Sequence, residues 1–339
     1  MPDPARELDA VRLFGELWKR RPPSEFTRNG DGWELELVPP REVERVEYLL
    51  ELVRSGRTEL VPDPTNPLRA GGPFGDKSVL ELPGYRPPDW VEDDEAPGAE
   101  LRTMRIRSRR LRTVVRGLLW ASPGSDPAEP LPLLVVHDGP EYARYSGLIR
   151  LLESAAAELE LPPIRAALLA PPSPRDEHYS ASARYAHALG REVLPAVARR
   201  APQPEGRRWR VGLGASLGAL ALLHAHRVHP GAFGGLVLQS GSYFRLRSDR
   251  QESGFPRFQR IARFVGNVLR ADVWPDPIPV AMTCGAAEEN LVNNRAVREA
   301  LARQGYPAEL DEHPDAHNWV SWRDSLHGPL VSLLQRLWS

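Results

Sequence analysis

Cysteine is almost missing from this chain. Cys284 is the only one in 339 residues, so no internal disulfide can form and nothing points to an oxidising compartment. Lysine is nearly as scarce: Lys19 and Lys77 are the only two, and arginine supplies the rest of the 44 basic side chains. That bias reads as base composition before function, so only a local arginine cluster would be informative. Against 45 acids the basic residues leave a formal charge of −1, which excludes a global field drawing in nucleic acid or a membrane surface. No stretch approaches the ~18 uninterrupted apolar residues of a membrane span. The opening MPDPARELDAVRLFGELWKR has no basic head followed by an apolar core of the secretory kind. The expectation is a soluble cytoplasmic protein with a small-molecule partner, and with neither nucleic acid nor membrane.

What is present divides the chain in two, as its length also predicts. After a short amphipathic opening (Val11, Leu13, Phe14, Leu17, Trp18), WELELVP from Trp33 and VERVEYLLEL from Val43 alternate like strands. This half, residues 1–98, reads as a small β-rich domain. It ends in GYRPPDWVEDDEAPGAE (84–100), where Pro, Gly and acid without periodicity suit an exposed linker. Residues 99–339 read differently. RTMRIRSRRLRTVVRGLLWASP alternates around turns, and then short apolar runs follow one another: LPLLVVHDG, IRAALLAPP, WRVGLGAS, GGLVLQSG and IPVAMTCG. Helical patterns such as YAHALGREVLPAVARR and NRAVREALARQ lie between them, which predicts βαβ units and a mostly parallel sheet.

One strand end carries a chemical signal. In WRVGLGASLGALALLHAHR, Ser216 stands between Gly214 and Gly218, after an apolar run and before a helical one. At the nucleophile elbow of an α/β-hydrolase the strand-to-helix turn is so tight that side chains two residues away on either side would collide, and glycine removes the collision. A serine there needs a histidine to take its proton and a carboxylate to hold the histidine, in the chain order Ser, acid, His. IPVAMTCG is followed by AAEEN, which puts Glu288 and Glu289 at a strand end, and His317 precedes the last helix. Glu288 is preferred to Glu289, and His317 to His313. The competing role for Ser216 is a helix N-cap, which would not need both glycines.

Two other clusters have plainer readings. His224 and His226 of HAHRVH point about 200° apart on a helix and share no ligand set, so no metal site is expected, and the trio with His229 is a polar helix end. Arg105, Arg107 and Arg109 recur at strand period, which an exposed strand face explains more simply than nucleic-acid binding.

The residues resemble those of the enterochelin (ferric enterobactin) esterases and their relatives among the α/β-hydrolases. QSGSYF (Gln239 to Phe244) is similar to the strand end after the nucleophile, VVHDGPEY (Val135 to Tyr142) to the Asp-Gly loop, and REVLPAV (Arg191 to Val197) to a helix with Leu-Pro. His317 with Trp322 and Arg323 matches the H-x-x-x-x-W-R ending, and VPDPTNPLRAGGPFGDKSVLELPGY resembles the immunoglobulin-like early-set β-domain. The resemblance implies a cytoplasmic serine hydrolase without a cofactor, cutting esters of imported ferric siderophores. Leu217 N–H would donate to the oxyanion. The second donor in relatives follows the Asp-Gly pair, but here that residue is Pro140, which has no N–H, leaving Gly139 or Glu141. Ser182 stands where relatives often have asparagine. Arg175, Tyr243, Trp322 and Arg323 are expected to face the ligand, arginine suiting a ferric catecholate anion. Other readings are a feruloyl or acetyl esterase, or a binding protein on a hydrolase scaffold. GGPFGDKS (Gly71 to Ser78) is expected to wall the pocket, and a fragment from Leu101 to contain the whole triad.

Overall fold

The computed structural model describes residues 1–18, 25–91 and 100–338. The expected boundary near residue 98 lies outside these described residues. Two compact units are present: Met1–Arg86 with Gly285–Glu288 and His313–Ser321, and Pro87–Cys284 with Glu289–Glu312 and Trp322–Ser339.

The first unit is β-rich. Its strands are β1 (Ala10–Phe14), β2 (Thr27–Asn29), β3 (Gly32–Glu34), β4 (Arg45–Arg54), β5 (Arg57–Val61), β6 (Arg69–Ala70) and β7 (Lys77–Glu81). The amphipathic opening is a strand: Val11 and Leu13 are buried and join Trp33, Val43, Val46 and Leu50 in one apolar cluster. β4 is long enough to serve three partners, pairing antiparallel with β7 through Arg45–Tyr48, with β1 through Leu49–Val53 and with β5 through Leu50–Arg54. The alternation of WELELVP does not make a strand beyond Glu34, and Leu35–Pro40 is irregular. Pro39 and Pro40 donate no ladder hydrogen bond, and this overrides the apolar period.

The second unit is built on an eight-stranded sheet. Its strands are β8 (Arg102–Ser108), β9 (Thr113–Ala121), β10 (Leu133–His137), β11 (Arg165–Leu169), β12 (Arg210–Ala215), β13 (Gly235–Gln239), β14 (Val280–Gly285) and β15 (Ala308–His313), in spatial order β15-β14-β13-β12-β10-β11-β9-β8. All five apolar runs are strands, and β10 to β14 pair parallel in that order. The helices are α1 (Gly139–Tyr145), α2 (Leu148–Ala157), α3 (Arg175–Tyr179), α4 (Ala183–Ala188), α5 (Leu194–Ala198), α6 (Leu217–Val228), α7 (Phe258–Arg270), α8 (Leu291–Arg303), α9 (Trp319–Asp324) and α10 (His327–Trp338). Among the described residues no helix is long and apolar enough to cross a membrane.

The sheet decides where chemistry gathers. The chain runs from β10 to β11 on one side, then returns to lay β12 on the other side of β10. A strand order that reverses opens a crevice beyond the carboxyl ends of the two strands, here at His137 and Ala215.

β8 is an edge strand. Met104, Ile106 and Ser108 are buried, while Arg105 and Arg107 face outward and Arg105 lies opposite Arg116 on β9. Outward charge blocks pairing with another chain's edge. Replacing Arg105 and Arg107 with valine is therefore expected to leave the monomer folded but drive self-association with concentration in light scattering. Unchanged scattering would remove this role.

Candidate active site

Ser216 has φ 55° and ψ −122°, a conformation rarely tolerated by a residue with a Cβ. The turn exists because β12 ends at Ala215 and α6 begins at Leu217. Both glycines are required by space: a Cβ on Gly214 would lie 2.8 Å from the Gly218 carbonyl carbon, and one on Gly218 would lie 3.1 Å from Asp138 Oδ2. The strain is held by hydrogen bonds. Ser216 N–H donates to the Gln239 carbonyl at 2.9 Å, and Leu220 N–H donates to the Ser216 carbonyl at 3.2 Å. The Ser216 side chain caps nothing at the start of α6. Its Oγ instead lies 3.0 Å from Ser242 Oγ.

The β10 end supports this turn. Asp138 is left-handed at φ 51°, which an aspartate tolerates better than most residues. Its carboxylate receives Arg175 Nε at 2.9 Å and Nη2 at 2.7 Å, and the guanidinium also lies over the Tyr179 ring. Burial opposes the Arg175 charge, but the bonds to Asp138 outweigh it and raise its pKa. Burial also pushes the pKa of His137 down to about 4, so the ring is neutral. Its Nδ1 faces the Gly218 carbonyl at 3.1 Å and therefore carries the proton, leaving Nε2 to accept from the Tyr185 hydroxyl at 3.0 Å.

In the other compact unit, the turn after β14 meets the loop after β15. Ala286 N–H donates to the His313 carbonyl at 2.7 Å, and Ala287 N–H to the Asp315 carbonyl at 3.2 Å. A Cβ on Gly285 would stand 2.3 Å from the Asp315 oxygen, so the two segments are in backbone contact. Glu288 accepts Gly285 N–H on Oε1 at 2.9 Å, and its Oε2 lies 2.8 Å from His317 Nδ1. A protonated Nδ1 facing a carboxylate fixes the ring and leaves Nε2 as its basic nitrogen. His313 engages Ser321 Oγ at 2.6 Å.

The remaining expected residues divide. Gly139 is the buried first residue of α1, ahead of Pro140. Arg323 is 18% exposed and donates from Nε to Asp324 Oδ1 at 2.6 Å. Tyr243 is corrected: at 0% exposure it offers a ligand no surface and belongs to the core beneath the loop. Trp322 is corrected likewise, since it is buried and its Nε1–H goes to Ser240 Oγ at 2.9 Å. Ser182 caps α4, its Oγ accepting from Tyr185 N–H at 3.3 Å. Of the histidine trio, His226 bonds Tyr306, His229 bonds His187, and His224 packs edge-on against Phe264.

Sequence reasoning missed Asn294, which holds the loop beside Ser216 through Gly241 N–H to Oδ1 at 3.0 Å and Nδ2 to the Gly241 carbonyl at 3.1 Å. It also missed the Asp138 and Arg175 pairing, because nothing in the spacing relates residues so far apart in sequence.

A strained serine at a strand-to-helix turn, at the reversal point of a mostly parallel sheet, defines an α/β-hydrolase fold. A family model described as "Putative esterase" matches residues 118–333. The chain belongs to that esterase family. It is 27% identical over 300 residues to an iron(III) enterobactin esterase of Escherichia coli O6:H1, covering 85% of this chain and 72% of that protein. The K12 counterpart is likewise 27% identical, over 301 residues. The fold superimposes on the enterobactin esterase of Shigella flexneri, crystallised in the presence of enterobactin, with a TM-score of 0.80 at 22% identity, over 99% of this chain and 92% of that one. A ferulic acid esterase matches with a TM-score of 0.58 at 16% identity, over 70% of this chain and 98% of that one.

The elbow is testable through its glycine. Gly214→Ala forces a Cβ into the Gly218 backbone 2.8 Å away and is expected to cost about 1–3 kcal/mol in urea unfolding. An unchanged urea midpoint would mean that the turn has room to spare.

Proposed function

We propose that this chain is a serine esterase cleaving ester bonds of a siderophore of the enterobactin type, and that Ser216, His317 and Glu288 do the chemistry. The observation that carries the reading is the 2.8 Å contact of His317 Nδ1 with Glu288 Oε2, which gives the ring a defined basic nitrogen. Ser216 Oγ attacks the ester carbonyl carbon as its proton passes to His317 Nε2. Glu288 stabilises the imidazolium, which then protonates the departing alkoxide as the carbon–oxygen bond breaks. Water repeats the sequence on the acyl-enzyme. The negative oxygen of each tetrahedral intermediate is received by Leu217 N–H at the start of α6, where the helix dipole adds to the attraction. Gly139 N–H is the second donor in this reading, since Pro140 has none.

The substrate class follows from the relatives, both named for iron(III) enterobactin, whose similarity spans 85% of the chain. We place Arg175 and Arg323 toward an anionic ligand, although each also pairs with a carboxylate, Asp138 and Asp324 respectively. The segment GGPFGDKS supports a wall for a large substrate: Gly72 lies against Trp319, two residues beyond His317, and Phe74 is fully exposed. We assign the reaction to the cytoplasm, in keeping with a sequence whose one cysteine allows no internal disulfide.

Ser216→Ala is expected to lower kcat for both ferric enterobactin and a p-nitrophenyl ester by roughly 10⁴-fold, with the fold intact by circular dichroism. A fluorophosphonate probe is expected to label Ser216. Binding of the siderophore without turnover by the parent would identify a ligand-binding protein instead. The acid is tested by its neighbour: Glu288→Gln is expected to cost far more kcat than Glu289→Gln, because only the carboxylate on Nδ1 steadies the imidazolium. The opposite ranking would transfer the role to Glu289.

A further inference from the structure

We propose that Arg45, at the start of β4 in the β-rich sequence, is a positioning residue for His317, so that this half of the chain helps to hold the base as well as the substrate. The proposal rests on the reading of His317 as the general base. Arg45 is 2% exposed, and its guanidinium bridges two sets of partners. Nη1 reaches Asn318 Oδ1 at 3.2 Å and Asp315 Oδ2 at 3.4 Å, while Nη2 donates to Glu47 Oε1 at 2.6 Å. Glu47 is held from its other oxygen by Lys77 Nζ at 3.1 Å. Just before this strand, Glu44 N–H donates to the Pro314 carbonyl at 2.8 Å.

These contacts fall on both sides of the histidine. Asp315 precedes it by two residues and Asn318 follows it by one. The intervening loop has no helix or strand of its own between Pro314 and Asn318, so it must be shaped by side chains. Asp315 Oδ1 accepts Ala316 N–H at 2.6 Å and Asn318 Nδ2 at 2.9 Å, and Asn318 Oδ1 accepts Ser321 N–H at 2.8 Å. The guanidinium closes this ring of bonds. The Asp315 carbonyl in turn holds Ala287 N–H, next to Glu288, so the same loop also sets the acid.

A plain structural ion pair is the competing account. Buried pairs, however, contribute little net stability because desolvation offsets attraction, and an apolar trio would serve a core as well. What an apolar trio cannot do is bind two named loop atoms in fixed directions. Lysine cannot do so either, because its single ammonium lacks the planar fork that reaches Glu47 on one side and Asp315 with Asn318 on the other. Burial pushes the pKa of Asp315 up to about 6 against the pull of Arg45, so assays well above pH 6 keep the ring of bonds charged.

The test uses the full chain and a p-nitrophenyl ester too small to need a substrate wall, with active sites counted by fluorophosphonate titration. Arg45→Lys and Asp315→Asn are each expected to lower kcat per titrated site by about 10²-fold. KM should move by less than about threefold, since the small ester does not touch either residue. Methylguanidinium is expected to restore about tenfold of the kcat lost by Arg45→Ala. Should Arg45→Ala fail to fold, Asp315→Asn decides, because its amide oxygen keeps the bonds to Ala316 and Asn318 while its NH2 replaces the charged acceptor that faces Arg45. Folded variants with parental kcat per site would overturn the proposal, provided that His317→Ala is inactive. Activity surviving in His317→Ala would overturn the general-base reading instead.

Discussion

The turn at Ser216 is the constraint on which the catalytic end of the sheet depends. A non-glycine residue at φ 55°, ψ −122° costs about 1–3 kcal/mol and persists only where its surroundings leave no alternative. The surroundings here are specific. β13 must end level with β12 so that the Gln239 carbonyl can receive Ser216 N–H. Gln239 is itself fixed, accepting the Tyr142 hydroxyl on Oε1 at 2.8 Å and donating from Nε2 to the Trp322 carbonyl at 3.0 Å and to Thr283 Oγ1 at 3.1 Å. The Trp322 side chain adds a second tie, its Nε1–H donating to Ser240 Oγ one residue beyond β13.

The abundance of arginine, unremarkable as composition, divides by burial into distinct physical roles. Arg105 and Arg107 are exposed and keep an edge strand from pairing. Arg165 is 1% exposed and serves backbone carbonyls, with Nη1 on Pro202 at 2.7 Å and Nη2 on Asp126 at 2.7 Å, tying a loop to the start of β11. Arg175 and Arg45 instead meet carboxylates. A fork of fixed donors can organise several acceptors at once, which a lysine ammonium on a flexible stem does less well.

Much of the fold was legible because its signals are local. Five short apolar runs ending in small or polar residues became five strands, and their order along the chain made the parallel sheet. The elbow was legible for the same reason, since both glycines sit two residues from the serine whose turn they permit. The failures have separate causes. Tyr243 and Trp322 lie in segments that resemble the family motif, and here both side chains are buried, Trp322 against Ser240. WELELVP had the right alternation and the wrong ending, because two prolines cannot enter a ladder. Arg45, Asn294 and the Asp138 and Arg175 pair act across long sequence separations, and no spacing rule reaches them.

The three residues proposed for the chemistry are not held equally. Ser216 stands between a strand and a 12-residue helix, both bonded through the backbone, so its position is set by cooperative elements. Glu288 sits at 6% exposure one turn beyond a strand, with both oxygens engaged. His317 belongs to an irregular loop whose shape comes from a few side-chain bonds centred on a buried charge. Segments of that kind open at lower free energy than the strands beside them. On the reading proposed for His317, the base is thus the first of these residues to lose its aim when conditions weaken side-chain electrostatics. On that reading, activity and global stability are separable, and substitutions far from the ester reduce turnover through the loop while the sheet and the serine remain in place.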